Sequence, residues 1–352
     1  MINIFGIGDV LFTTPMISNL KASCPGLYIG YVANSRTAPL LEQNPKIDKV
    51  FIYDSDDFNA ACRISKFGYL KKLRSFIKAV KSERFDTSID VSLSGFTGWI
   101  TWMAGIKRRI GFKYKGRGFF LNQKFLLRGY EDKHVVEYYL DLMESIGVNT
   151  DIKDLDLSLA QADLDWADHF VAENIGQLDG KLVIGMVPGG GASWGKDAKY
   201  KRWDPKNYAK LADKLIEKFS ASLILMGDKS ELDLCGEVSK AMAHHSATAC
   251  GETTIGQFAA LARKCSLMIV NDGGPLHIAV AAGARTASIF GPVNEHVYGP
   301  YPLGNHIVIK KNLACQPCYR QFRRASCDHI SCLSQLTVDE VFDKINKVLQ
   351  AN

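Results

Sequence analysis

No run of about 18 uncharged apolar residues occurs anywhere in the 352-residue chain, so no membrane-spanning helix is expected. The opening segment, Met1-Ile2-Asn3-Ile4-Phe5, lacks the basic stretch of a secretion signal and meets Asp9 before an apolar signal core could form. It is read instead as a first buried strand. No G-x-x-x-x-G-K-[ST] segment is present, which disfavours a P-loop nucleotidase, and no short internal repeat is visible. An excess of one charge is also missing overall, since Lys+Arg 43 against Asp+Glu 37 leaves only +6. Hydrophobic residues at 47% exclude a disordered chain, and charged residues at 23% exclude a coiled coil.

Nine cysteines is an odd number, and five of them (Cys24, Cys62, Cys235, Cys250, Cys265) are scattered through helix-like or strand-like stretches. That pattern suits reduced thiols in the cytosol. The other four form a cluster, Cys315-x-x-Cys318, Cys327 and Cys332, with His329 among them. Four thiolates can bind zinc tetrahedrally, but these spacings match no standard zinc module. Reduced thiols without metal are the expectation, and a structural metal on Cys315, Cys318, Cys327 and Cys332 is the alternative.

The small total charge hides an asymmetry. Residues 61–133 hold 17 basic and 5 acidic side chains, whereas residues 151–352 hold 22 and 23. One half of the chain should therefore prefer an anionic partner.

Short apolar runs alternate with amphipathic stretches along the whole chain. Ile2–Phe5 precedes helix-like Leu11–Ser23, and strand-like Leu27–Ala33 precedes helix-like Thr37–Gln43. Val50–Tyr53, a basic amphipathic stretch over 65–82, and Thr87–Val91 follow. This alternation predicts βαβ units and parallel sheets covered by helices. Residues 107–133 break the rhythm with Gly, Lys and Arg around Phe112, Tyr114, Phe119 and Phe120, and are expected to form surface loop and short strand. The alternation restarts at Leu182–Val187 and continues through Thr286–Phe290, with a final helix-like stretch at Val338–Leu349. At roughly 150 residues per domain, the length suits two doubly wound domains in series. Such sheets bind ligands where strand carboxyl ends meet helix amino ends, and the cleft between the two domains is the default active site.

Three strand-to-helix turns carry chemistry. Gly6-Ile7-Gly8-Asp9 follows the first strand, and Asp9 there either caps the helix or acts on a ligand. The third glycine of a dinucleotide fingerprint is absent. Pro188-Gly189-Gly190-Gly191-Ala192-Ser193 follows a buried strand and leads to Lys196, Lys199, Lys201 and Arg202. Glycines and cations together suit a phosphate or pyrophosphate, or simply a solvated basic loop. Asn271-Asp272-Gly273-Gly274-Pro275-Leu276-His277 joins another strand to a helix, where Asp272 could serve as a cap and His277 as a structural histidine.

Taken together, these segments resemble glycosyltransferase family 9, the lipopolysaccharide heptosyltransferases. Gly8-Asp9-Val10-Leu11-Phe12-Thr13-Thr14-Pro15, with Leu20-Lys21, resembles the family's G-D-x-L-x-x-T-P opening. Asn44-Pro45-Lys46-Ile47-Asp48 resembles its N-P-x-I-D segment, and Lys201-Arg202-Trp203 after Pro188-Gly189 its P-G…K-R-W-P loop. Asp272 to His277, then Phe290-Gly291-Pro292, resembles its D-T-G-x-x-H…F-G-P-T segment, with Gly273 where the family often carries Thr.

The resemblance implies a GT-B fold: two Rossmann-like doubly wound domains facing across a cleft, with the C-terminal helix crossing back to the first domain. It divides the chain into an acceptor-binding domain at 1–165, a nucleotide-sugar-binding domain at 166–335, and the returning helix at 336–352. The implied reaction is inverting, metal-independent and cofactor-free transfer of heptose from ADP-heptose to the inner core of lipopolysaccharide. Asp9 is the implied general base. Ser193, Lys201, Glu231, Asp272, Gly273, Gly274 and His277 are expected at the donor, with Glu231 recognising the nucleoside. Thr13, Lys107, Arg108, Arg109 and Lys113 are expected at the anionic acceptor. The basic stretch then indicates a phosphorylated glycolipid rather than nucleic acid, and a cytoplasmic protein peripheral at the inner face of the inner membrane. A different nucleotide sugar for another surface glycan, or a non-catalytic anion-binding paralogue, remains the alternative.

Overall fold

The computed structural model describes all residues except Asp179, Gly191, Ala351 and Asn352, and only the backbone of Asn59, Ala61, Cys62, Ala192 and Ser193. The chain divides into two compact units, Met1–Tyr130 with Val135–Lys153, and Asp154–Asn352 with Glu131–His134.

In the first unit the N-terminal segment is the central strand. Ile2 bridges Val32 on one side and Asp90 on the other, both in parallel sense. Its N–H donates to the Ile89 carbonyl at 2.9 Å, and the Asn3 N–H donates to the Val32 carbonyl at 3.1 Å. Beyond Val32 lie β1 (Gly30–Ala33) and β2 (Lys49–Ile52). Beyond Asp90 lie β3 (Thr87–Asp90), β4 (Arg108–Lys113) and β5 (Gln123–Leu126), all parallel. Counting the N-terminal segment as the first strand gives the spatial order 3-2-1-4-5-6 of a doubly wound sheet.

The second unit repeats this order. Its strands are β6 (Val183–Val187), β7 (Ser222–Leu225), β8 (Ala247–Thr248), β9 (Leu267–Asn271), β10 (Thr286–Ile289) and β11 (Ile307–Ile309). They lie side by side as β8-β7-β6-β9-β10-β11, every pair parallel. All residues of β6, β9 and β10 are buried, as expected for strands covered on both faces.

Four expectations change. Residues 107–133 hold loop and two short strands as expected, but β4 is an inner strand of the sheet and Ile110, Phe112 and Tyr114 are buried rather than on the surface. The cationic residues that suggested a loop sit at the strand ends. The first helix-like stretch breaks into Ile7–Leu11 and Thr14–Ser23. Pro15 has no N–H for the Leu11 carbonyl, and the Thr14 hydroxyl donates to it instead at 2.7 Å. The boundary falls at residue 153 rather than 165, since helix Gln161–Asn174 packs on helix Ile255–Lys264 of the second unit.

The last helix, Val338–Gln350, groups with the second unit, where a crossing back to the first was expected. Val338, Val341, Phe342, Ile345 and Leu349 recur at helical spacing and join the second unit's core with Leu211, Leu215 and Ile309.

Candidate active site

A doubly wound sheet opens a crevice where the strand order reverses, outside the carboxyl ends of the two strands flanking that point. In the second unit these strands are β6 and β9. They deliver Pro188-Gly189-Gly190 and Asp272-Gly273-Gly274 to the same edge.

The turn after β6 is held from beneath by Glu231, only 2% exposed. One carboxylate oxygen accepts the Gly190 N–H at 2.6 Å and the Arg202 guanidinium at 3.3 Å. The other accepts the Asp228 N–H at 3.2 Å. A Cβ on Gly189 would lie 2.0 Å from this carboxylate, so only glycine fits over it. Gly190 has φ of 92°, a region that glycine enters freely. Glu231, expected at the nucleoside, thus braces the glycine turn.

Alternate residues of the Lys-Arg-Trp segment point to different neighbours. Lys201 meets Asp272, its Nζ 2.7 Å from the carboxylate, with side chains 9% and 4% exposed. The same ammonium lies 4.3 Å from the Trp194 ring centre. Arg202 donates to the Gly190 carbonyl at 3.0 Å. Trp203 is buried in the core, and its indole N–H donates to the Leu336 carbonyl at 3.0 Å. Asp204 then caps helix Pro205–Phe219 by accepting the Lys206 N–H at 2.8 Å. Lys201 is thus fixed by a core tryptophan two residues on.

Asn271, the last residue of β9, ties the two turns together. Its amide donates to the Pro188 and Gly189 carbonyls, each at 2.8 Å, and its oxygen accepts the Trp203 N–H at 3.3 Å. Sequence reasoning missed it and Trp194. The signal for Asn271 was a polar residue closing an otherwise apolar buried strand. Helix Gly274–Ala281 begins immediately after, with Pro275 in its first turn. A short helix start with free N–H groups, beside a buried ammonium, suits an anionic group.

His277, on that helix, is 5% exposed. Burial, aided by His134 and Lys201, pulls its pKa down to about 3. His134 is lowered to about 4, chiefly by burial; its ring meets the Gly299 carbonyl at 3.2 Å and stacks on Tyr301. Both imidazoles are therefore neutral near pH 7 and cannot serve as acids there. The expected donor residue Ser193 has its side chain outside the described residues.

In the first unit the reversal point lies between the N-terminal segment and β3. Asp9 stands at this edge in the third position of helix Ile7–Leu11, half-buried, with a carboxylate oxygen 3.1 Å from the Gly6 N–H that donates to it. Asn3 supports the turn by donating to the Asp9 carbonyl at 2.9 Å. Asp9 is close enough to Tyr31, Tyr130 and Tyr139 to help burial hold those phenols protonated. Asp90, at the end of β3, is 4% exposed and was missed. It accepts from the Ser92 N–H and hydroxyl at 2.9 and 2.7 Å and from the Thr97 hydroxyl at 2.6 Å, shaping the neighbouring turn.

The residues expected at the acceptor lie in different surroundings. Thr13 is fully buried; its hydroxyl donates to the Val10 carbonyl and shares a 2.8 Å hydrogen bond with Tyr31. Lys107, Arg108 and Arg109 sit at the amino end of β4, the opposite end of the sheet from Asp9. A six-residue strand separates the two edges by roughly 20 Å. Arg109 is also committed internally, donating to the Phe120 and Ile106 carbonyls at 2.6 and 2.5 Å. Lys113, exposed at the carboxyl end of β4, is on the same edge as Asp9. So is Arg117, which donates to the Leu93 carbonyl at 3.3 Å. Sequence reading had not singled out Arg117.

Cys318 and Cys332 have raised pKa values, mainly from burial, with the neighbouring thiols of the cluster contributing. Among the described residues no group of three or more His, Cys, Asp or Glu side chains is arranged to hold a metal ion.

Two doubly wound parallel units, each with its ligand-facing turns at the carboxyl edge of the sheet, are the building blocks of the GT-B architecture. Residues 73–329 match glycosyltransferase family 9 (heptosyltransferase), and the chain belongs to that family. Lipooligosaccharide heptosyltransferase 2 of Campylobacter jejuni is 30% identical over 240 residues, covering 67% of this chain and 69% of that protein. Lipopolysaccharide heptosyltransferase 2 of Escherichia coli is 24% identical over 350 residues, covering 97% and 96%. Among solved structures, a family 9 glycosyltransferase of Veillonella parvula superposes with a TM-score of 0.81 at 21% identity, covering 100% of this chain and 96% of that one. An Escherichia coli heptosyltransferase with ADP-2-deoxy-2-fluoro heptose gives 0.73 at 17% identity, covering 98% of both.

Proposed function

We propose that the chain transfers heptose from an ADP-heptose-type donor to an anionic inner-core acceptor of lipopolysaccharide, inverting the anomeric carbon without a metal. The observation that carries this reading is the buried Lys201–Asp272 pair beside the Gly273–Gly274 helix start. It supplies positive charge where a departing diphosphate would need it. Family membership sets the substrate class, and one relative of the same fold is described with an ADP-heptose analogue.

Asp9 takes the proton of the acceptor hydroxyl as its oxygen bonds to the anomeric carbon. The bond from that carbon to the diphosphate oxygen breaks, and the electron pair leaves with ADP. A carboxylate suffices as base because the hydroxyl proton becomes acidic only as the new C–O bond forms. Lys201 and the N–H groups of Gly273 and Gly274 stabilise the charge on ADP. Asp272 holds Lys201 in position, while Glu231 and Asn271 hold the turn that the diphosphate rests on. Neutral His277 presents no second charge.

Lys113 and Arg117, rather than Lys107 or Arg109, meet the acceptor's phosphates nearest Asp9. The exposed cations of helix Lys66–Ser82, among them Lys71, Arg74 and Lys78, favour a position at the anionic inner face of the inner membrane. Among the described residues no helix is long and apolar enough to cross it.

Gly273, where the family often has Thr, motivates a second reading with another nucleotide sugar. Incubating the protein and a truncated inner-core acceptor with ADP-heptose or with UDP-sugars, and following nucleotide release, decides between them. Release from ADP-heptose is expected. Release from UDP-sugars alone would overturn the first reading.

A further inference from the structure

The first unit contains a cavity of about 360 Å³ at the amino ends of its strands, the far end of the sheet from Asp9. Met1, Gly30, Thr87 and Arg108, each at or beside the start of its strand, line it. Its volume lies within the ~300–1,000 Å³ of small-molecule pockets, whereas close-packed interiors leave few voids larger than a water.

The walls are mostly apolar, with Leu20, Val32, Ile89, Ile100, Ile110 and Val148 from both faces of the sheet. Among the hydroxyls that line the cavity with Thr97 and Thr101, that of Ser88 stands apart. The Ser88 hydroxyl is buried and has no hydrogen-bond partner. The rim is polar and well organised. Tyr28 stacks on Phe85 with ring centres 5.9 Å apart, and its hydroxyl donates to Glu83 at 3.0 Å. Lys49 takes the other Glu83 oxygen at 2.5 Å. Phe85 can lie there because position 30 is glycine, whose Cβ would fall 2.3 Å from the ring. Glu83 is thus neutralised. The exposed guanidinium groups of Arg84 and Arg108 also line the cavity, as does the exposed Asp86; among the described residues neither guanidinium is in an ion pair, and the Arg108 Nε–H donates to the Gln123 side chain at 3.2 Å.

An apolar interior below two unpaired cations matches an amphiphile with one chain and one negative head. We propose that this cavity binds a single-chain carboxylate amphiphile, its alkyl chain among the aliphatic walls and its carboxylate at Arg84 and Arg108. Two guanidinium groups are suited to planar carboxylates and set the polarity of the guest. The buried Ser88 hydroxyl opposes a plain methylene chain, since burying it against hydrocarbon leaves its hydrogen bond unmet. None of the residues substituted below belongs to either glycine turn or to the Asp9 edge, so the test does not depend on the transfer reaction.

The probe is decanoate below its micellar concentration, titrated into the full chain by calorimetry and by NMR of isoleucine methyl groups. Saturable binding is expected, with shifts concentrated at Ile89, Ile100 and Ile110. Decyltrimethylammonium should bind at least tenfold more weakly. The double variant Arg84→Glu, Arg108→Glu should weaken decanoate at least fivefold, and Ser88→Ala, which merely removes the unpaired hydroxyl, should tighten it severalfold. All three substituted residues lie away from buried hydrogen-bond networks, so folded variants are expected, and circular dichroism checks this. Unsaturable binding, shifts located elsewhere, or equal affinity for both head groups would overturn the proposal.

Discussion

At the residue level, the fold gives two neighbouring charges different partners. Lys201 and Arg202 are adjacent, yet one pairs with Asp272 and the other with Glu231 beneath the glycine turn. Composition could not separate them, because both fall in a basic loop; only the family resemblance singled out Lys201. The same limit hid the fate of Thr13 and Arg109, whose side chains are consumed by local hydrogen bonds that no spacing reveals. The position of Asp9, in the first helical turn at the carboxyl edge of the sheet, was legible from the glycine turn that follows the first strand. Lys201→Ala removes both the leaving-group cation and the partner of a buried carboxylate. Breaking such a pair costs about 3 kcal/mol, and losing a preorganised charge slows turnover by roughly 10²–10³-fold. Denaturant titration and steady-state kinetics on the same preparation would test both effects. Unchanged kcat would remove Lys201 from the reaction.

At the level of elements, the glycine-rich turns were readable because each follows a fully apolar run, and the βαβ alternation fixed their place at strand carboxyl ends. Strand polarity was the missing information for β4. Its flanking cations looked like one patch, but a parallel strand puts Arg108 and Lys113 at opposite edges of the sheet. The final helix illustrates a second limit: an amphipathic pattern shows that a stripe is buried, not which core buries it. Helix Gly274–Ala281 has a consequence for pH. His277 and His134, with pKa values near 3 and 4, stay neutral in the fold while histidine in the unfolded chain titrates near 6.5. The unfolded chain therefore binds more protons between pH 4 and 6.5, so stability falls as pH drops through that window. The loss is roughly 2 kcal/mol per histidine at pH 5, and none is added once pH is below the folded pKa values. Unfolding midpoints measured from pH 7 to 4 should show this decline, and His134→Gln should flatten it. A midpoint independent of pH over that range would contradict the assignment.

At the level of the molecule, the charge is divided: residues 61–133 hold 17 basic and 5 acidic side chains, while the second unit is near neutral and presents a few placed cations. Under the proposed function, acceptor recognition rests on exposed, screenable charge, and donor recognition on a buried ammonium and backbone N–H groups. Raising salt from 50 to 500 mM should weaken acceptor binding several times more than ADP binding, as measured by calorimetry. Equal sensitivity would place the acceptor elsewhere. The central claim, a transferase that uses Asp9 as its base, is tested most directly by comparing Asp9→Asn with the unaltered protein for turnover of ADP-heptose and for ADP affinity. The account predicts turnover lost by at least 10²-fold with ADP affinity nearly unchanged. Near-normal turnover in Asp9→Asn would contradict it and leave Asp9 as a helix cap.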